Sequence, residues 1–327
     1  MLSDSTMILF NEPSIVKIDD YQVAIQKIVE KVSCIDGLIA IYQIGGIRHP
    51  GISDIDIVVI TEDDSSCNID FVKQLDKKSQ YIFTHGLFVT TRTLFSISNN
   101  YTFFHNYKLL WGENIYDNKP LLSLAELKII EGQWAKEYLT RMFINLAVEE
   151  RFKIINIRNL LLHSKALIYD LDFLGVSPKT LCDCINLVME WRDNWFSLRP
   201  QNEEIIMLHN NLHKSLVEFI TQNFNHSPIF LPADGRNELR GKMKLNAGKT
   251  AKCTVNGLRL PWISRVVSRR GIAVRRRVNK FEFTIPATKE AIPQIIAESL
   301  SYTDNSVELV KSKFPFFVPL ASNLTFE

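Results

Sequence analysis

The stretch that decides the fold is "YQIGGIRHPGISDIDIVVITED", Tyr42 to Asp63. It sets two glycines side by side at Gly45 and Gly46. Eight residues after Gly46 it places Asp54, with Asp56 separated from it by one residue, in a run that otherwise has the composition of a buried strand. The flanking segments "LIAIYQI" (Leu38–Ile44) and "IDIVVI" (Ile55–Ile60) are β-branched and apolar and are bounded by Gly, Pro, Ser or Asp, which predicts two strands joined by the glycine segment. Side chains alternate along a strand, so Asp54 and Asp56 are expected on one side, with Ile55 and Ile57 on the other. Two carboxylates so close repel unless a cation sits between them, and Mg²⁺ takes hard oxygen ligands from one or two carboxylates plus substrate phosphates. Adjacent glycines give a turn without Cβ atoms, in which backbone N–H groups can approach a phosphate chain, and Ser53 adds a hydroxyl beside it.

An apolar residue, Gly-Gly, a short loop and then Ser-Asp-x-Asp on a strand resembles the signature of the nucleotidyltransferase superfamily typified by DNA polymerase beta, and "IGGIRHPGISDIDIVV" is similar to it throughout. "LLWGEN" (Leu109–Asn114) is similar to a segment that closes the catalytic domain in small bacterial members. The resemblance covers roughly residues 20–120. It implies an α+β domain with a mixed sheet, in which Asp54 and Asp56 are the catalytic and Mg²⁺-holding carboxylates and Gly45, Gly46 and Ser53 cradle the phosphates of an NTP, ATP first among them. The implied reaction moves a nucleoside monophosphate to a hydroxyl acceptor. The superfamily also places a third acid on a later strand, whereas "YIFTHGLFVTTRTL" (Tyr81–Leu94) holds no Asp or Glu and offers His85 as its nearest polar residue. Three readings follow: a site that works with two carboxylates, a third acid from elsewhere such as Glu113, or a catalytically silent fold that senses nucleotide or binds nucleic acid.

The surrounding sequence divides into three parts. In residues 1–120, Val23, Ile25, Ile28 and Val32 share a helical face behind a cap at Asp19 or Asp20; a helix is expected from about Asn68 to Lys78 and a strand through "YIFTHGLFVTT". Residues 121–226 carry long amphipathic patterns, broken at "FLGVSPKT", and predict a helical domain. Within it "RNLLLH" (Arg158–His163) has the Arg-x4-His spacing of HEPN-type ribonucleases, read here first as a helix-surface Arg and a partly buried His. Trp134, Trp191 and Trp195 are expected in packing. Residues 227–327 begin with a turn-rich linker and continue as a small basic β module, with Asn256-Gly257 as a hairpin turn and a helix near Ala291–Leu300.

Composition narrows the class. The 327 residues have an ordinary apolar fraction of 46% and no apolar run long enough for a membrane span, and the first residues lack a basic, apolar leader, so a cytoplasmic protein is expected. The five cysteines are scattered without metal-ligand spacing, which favours reduced thiols. Charge is uneven. Arg236 to Lys280 holds fourteen Lys and Arg against one acid, so this window carries +13 and, within a total of +2, leaves −11 for the remainder. Arg269, Arg270, Arg275, Arg276 and Arg277 form its densest patch and mark a polyanion site, nucleic acid included, with Trp262, Phe281 and Phe283 available for stacking. The competing reading is a solvated face that pairs with the acidic remainder. If the arginines contact phosphates, the log-log salt slope of nucleic-acid binding flattens by about two to three units when Arg275, Arg276 and Arg277 become Ala. Anisotropy titrations at several salt concentrations measure that slope, and no association at low salt removes nucleic acid as a partner.

Overall fold

A computed structural model of the protein describes residues 7–65, 71–84, 86–96, 106–116, 123–223, 229–232, 242–245, 250–255, 280–284 and 324–326. The predicted strand pair is present as β2 (Leu38–Ile44) and β3 (Asp56–Thr61), antiparallel, with Ile44 opposite Asp56 and Tyr42 opposite Val58. A mixed four-stranded sheet grows around it: β4 (Phe88–Thr91) joins β3 in parallel, and β5 (Lys108–Gly112) joins β2 antiparallel at the other edge. Both faces of the central pair are covered, which is why its two segments read as nearly unbroken apolar runs. Helices α1 (Ile18–Val32) and α2 (Lys77–Ile82) bury one face, where Tyr21, Ala24, Ile28 and Val32 meet Ile41, Ile55, Ile57 and Val59. On the other face Ala40, Tyr42, Ile44, Val58 and Ile60 pack beneath Phe88, Phe95 of the short helix α3 (Arg92–Ser96), Tyr107 and Tyr116.

Several local expectations change. Asp20 caps α1 from inside its first turn, accepting from the Lys17 N–H at 3.0 Å, so the helix begins two residues before the expected cap. The segment expected as one strand from Tyr81 to Thr91 is split, because Asp76 caps α2 by accepting from the Ser79 N–H at 3.0 Å and draws residues 77–82 into a helix. Between residues 71 and 76 the expected helix is a single 3₁₀ turn, Val72–Gln74.

The helical part comprises α4 (Leu124–Phe152), α5 (Ile157–Ser164), α6 (Leu167–Leu174), α7 (Lys179–Asn194) and α8 (Asn202–Asn223). Its core is built at helical spacing, with Leu139, Met142, Phe143 and Leu146 of α4 meeting Ile185, Val188 and Trp191 of α7 and Leu208, Leu212 and Leu216 of α8. Trp191 and Trp195 are buried here as expected, and Cys182 and Cys184 are free thiols. The "FLGVSPKT" break is a C-terminal cap on α6: the Gly175 N–H bonds Asp172 O at 3.0 Å, and the Val176 N–H bonds Leu171 O at 3.1 Å.

One break lies where periodicity predicts continuous helix. Lys153 takes a left-handed conformation, φ 53°, and a short strand, β6 (Ile154–Asn156), pairs in parallel with β1 (Ile8–Phe10) from the start of the chain. Glu149 fixes this junction by accepting from the Asn156 N–H at 3.2 Å while its other oxygen lies 3.1 Å from His209 Nε2 of α8. Sequence residues 7–10 are thereby tied to the helical part.

In residues 227–327 the described strands are β7 (Ile229–Pro232) antiparallel to β8 (Lys242–Leu245), and β9 (Thr250–Val255) between β10 (Lys280–Thr284) and β11 (Leu324–Phe326). β9 ends at the predicted Asn256-Gly257 turn, but its antiparallel partners start at Lys280 and Leu324. The turn itself, the helix near Ala291–Leu300, Trp262 and the arginine patch at 269–277 lie outside the described residues. No helix among the described residues is long and apolar enough to cross a membrane.

A pair of glycines tests the sheet edge against a helix. At Gly112, φ 86°, an added Cβ would come within 2.1 Å of Ile39 O, whereas at Gly132 in α4 it would meet nothing within 4 Å. Gly112→Ala should lower unfolding stability by about 2–3 kcal/mol and Gly132→Ala should raise it by about 0.5–1 kcal/mol, both measured by urea denaturation.

Candidate functional site at the glycine turn and the paired aspartates

The loop from Gly45 to Ile55 is not a surface excursion. Gly51, Ile52, Ser53 and Ile55 are all buried, and Ile52 inserts into the core of the helical part. Backbone carbonyls at such depth must find donors. Three side chains from three different elements supply them. The Tyr21 hydroxyl, from α1, donates to Ser53 O at 2.7 Å and accepts from the Gly51 N–H at 2.8 Å. The Tyr81 hydroxyl, from α2, donates to Gly51 O at 2.6 Å and accepts from the Ser14 N–H at 2.8 Å. Arg158, from α5, donates through Nε to Ile52 O at 3.2 Å, through Nη2 to Ser53 O at 3.1 Å and through Nη1 to Tyr81 O, and its guanidinium lies 4.1 Å from the centre of the Tyr81 ring. Burial pushes the Tyr21 phenol above its ordinary pKa, so it remains a neutral hydrogen-bond donor.

Arg158 is therefore a correction to the expected helix-surface arginine. It is 3% exposed, because the carbonyls it satisfies lie between the sheet and the helices. In the Arg-x4-His segment the arginine is thus committed to backbone, while the His163 carbonyl accepts from the Tyr138 hydroxyl at 2.9 Å.

With the loop anchored, the predicted residues take definite places. Gly45 follows β2 directly at φ 71°, and a Cβ built on it would lie 3.4 Å from Asp56 Oδ2, so the turn and this carboxylate adjoin. Its N–H donates to Asn106 Oδ1 at 3.3 Å. Gly46 is exposed, with nothing within 4 Å of an added Cβ. Asp56 opens β3, and Asp54 lies just before it, accepting from the Thr84 hydroxyl; both aspartates are partly exposed. Ile55 and Ile57 pack together on the α1 side, as alternation predicts. Ser53 is 4% exposed, and its hydroxyl accepts from the His49 N–H at 3.2 Å, which makes it a brace of the loop.

The third acid is not supplied by Glu113. That residue bonds Ile39 O through its N–H and is held by Arg92 at 3.2 Å, at the end of β2 opposite to Ile44 and Gly45. Five residues of strand put it roughly 16 Å from the aspartates. On β4, Phe88 stands opposite Val58 and packs on the same face as Val58 and Ile60, while His85 lies outside the described residues. Among the described residues no group of three or more His, Cys, Asp or Glu is placed to hold a metal ion.

The loop that leads to Asp54 also meets basic residues. His49 Nε2 lies 3.6 Å from Asp193 Oδ1 at the end of α7, and the preceding residue, Arg192, is 7% exposed and donates through Nη1 to Leu161 O of α5 at 2.8 Å. Burial, then the charge of Arg192, pushes the His49 imidazole below its ordinary pKa.

Comparison with known proteins adds no relative: no family model, curated protein or solved structure matches the chain.

If Arg158 carries the loop, Arg158→Met removes a donor from each of three carbonyls, leaving Ser53 O with Tyr21 alone, and lowers stability by about 3 kcal/mol or more. Arg158→Lys, which keeps the charge but loses the planar fork, falls between the two in urea denaturation followed by tryptophan fluorescence.

Proposed function

We propose that the protein is a polymerase-beta-like nucleotidyltransferase that transfers a nucleoside monophosphate from an NTP, such as ATP, to a hydroxyl acceptor with the help of Mg²⁺. The observation that carries this reading is the adjacency of the glycine turn and a carboxylate. Gly45 is left-handed, a Cβ built on it would lie in van der Waals contact with Asp56, and Gly46 beside it is open to solvent. A close-approach turn abutting an acidic pair is the combination that a metal-bound triphosphate requires.

Asp54 and Asp56 would hold the Mg²⁺. As hard donors, both partly exposed, they suit an ion that takes its remaining ligands from phosphate oxygens and water. When bound, the ion supplies charge neutralisation for the triphosphate. The chain's own part is placement. The rigid loop fixes the two carboxylates, and Gly45 and Gly46 let backbone approach the phosphates. The acceptor hydroxyl oxygen then bonds the α-phosphorus and gives its proton to water, the bond from that phosphorus to the bridging oxygen breaks, and pyrophosphate departs with its electron pair.

A second reading has its own support. β4 (Phe88–Thr91) carries no acid, and its Phe88 lies opposite Val58 on the Asp56 face, which favours a catalytically silent protein that senses nucleotide or binds nucleic acid. The transferase and the nucleotide-sensor readings both require Mg²⁺-dependent NTP binding. Asp54→Asn with Asp56→Asn should abolish that binding while leaving the thermal unfolding midpoint unchanged or higher, since a repulsion is removed. Calorimetric titration with a non-hydrolysable NTP measures it, and unchanged affinity in the double variant defeats both readings. Incubation of the wild type with labelled NTP and candidate hydroxyl acceptors, RNA included, then separates transfer from mere binding.

A further inference from the structure

We propose that residues 48–53, α5 and α7 together form a binding site for a phosphate or similarly acidic group on the acceptor, so that the molecule modified is itself an anion. This rests on the nucleotidyltransferase reading above. The site is built around Arg192. Its side chain is 7% exposed, and among the described residues its guanidinium has one protein acceptor, Leu161 O, for five N–H donors. Arginine cannot shed its proton to escape burial, and a buried charge is costly until acceptors surround it. An anionic group bound in fork geometry supplies those acceptors.

The neighbours share that polarity. Lys165 closes α5 one turn beyond Leu161, and Arg48 precedes His49, whose ring reaches Asp193 beside Arg192. Three formal positive charges thus converge on one loop, with a neutral His49 between them, against Asp54 and Asp193 as the acids in the field of Arg192. An acceptor rich in amines would be repelled here. Phe196, whose ring lies against Gly51, closes the end of this junction.

Position assigns the site to the acceptor and not to the NTP. The glycine turn adjoins Asp56, while Arg192 belongs to the junction of the loop with α5 and α7, through Leu161 O and, at the next residue, Asp193 against His49.

The test is calorimetric titration of inorganic phosphate into the full chain, with and without Mg²⁺ and a non-hydrolysable NTP. Phosphate should bind in both conditions, and Arg192→Gln should weaken it about tenfold or more. Should that variant fold poorly, Arg48→Glu with Lys165→Glu, both outside the core, should weaken phosphate comparably at an unchanged thermal midpoint, with NTP affinity retained. No phosphate binding, equal binding in the variants, or displacement of phosphate by the NTP overturns the proposal; the last outcome assigns the basic group to the triphosphate. Arg192-dependent phosphate binding in a chain that binds no NTP keeps the anion site and removes the transferase reading instead.

Discussion

The guanidinium of Arg158 is the point at which the two main parts of this protein become one. A loop that is buried between a sheet and a helix bundle presents carbonyls that water cannot reach, and a planar fork with five donors is the side chain best shaped to satisfy several at once. Arg158 meets Ile52 O, Ser53 O and Tyr81 O from a helix 77 to 106 residues further along the chain. Asp54 follows Ser53 directly, so the position of the first carboxylate is inherited from these bonds. Tyr21 and Tyr81 repeat the same logic from the sheet side, each hydroxyl both donating and accepting.

The site that results joins unlike parts. A Cβ-less turn adjoins Asp56, and a nearly buried arginine sits where the loop meets α5 and α7. Ser53 turns its hydroxyl back to the loop. The carboxylate pair thus owes its placement to neutral groups and to a cation that is fully engaged with backbone. A second cation, Arg192, keeps most of its donors unspent among the described residues.

What could be read from the sequence was whatever local pattern determines. β2 begins and ends at the predicted residues, because a run of seven apolar and polar side chains bounded by Gly37 and Gly45 has no competing local structure. The helical part was legible from its 3.6-residue period and the α6 to α7 break from Gly175 and Pro178. The adjacency of Gly45 and Asp56 follows from pairing two short strands. Long-range satisfaction left no such trace. Nothing in "IRNLLLH" announces that its arginine turns inward, since its acceptors come from residues 52, 53 and 81. The helix over 77–82 overrode an apolar, strand-like composition because Asp76 caps it, and the interruption at Lys153 arises from a partner strand at residues 8–10 that no window of neighbouring residues contains. Glu113 looked available as a third acid until the sheet order set it at the far end of β2.

The pairing of β1 with β6 has a consequence in time. The first described strand has its partner nearly 150 residues downstream, and the loop before Asp54 waits for Arg158. On the ribosome, with synthesis running at about 5–20 residues per second, the stretch from Asp56 to Arg158 takes roughly 5–20 s to appear. The four-stranded sheet, which closes at Gly112, can assemble well within that interval, because its pairings are complete before the helices are made. During it the loop's carbonyls remain hydrated and β1 has an unpaired edge. The nascent chain therefore acquires its scaffold first and its carboxylate geometry last, so the acidic pair comes into register only when the part of the chain that closes over it already exists.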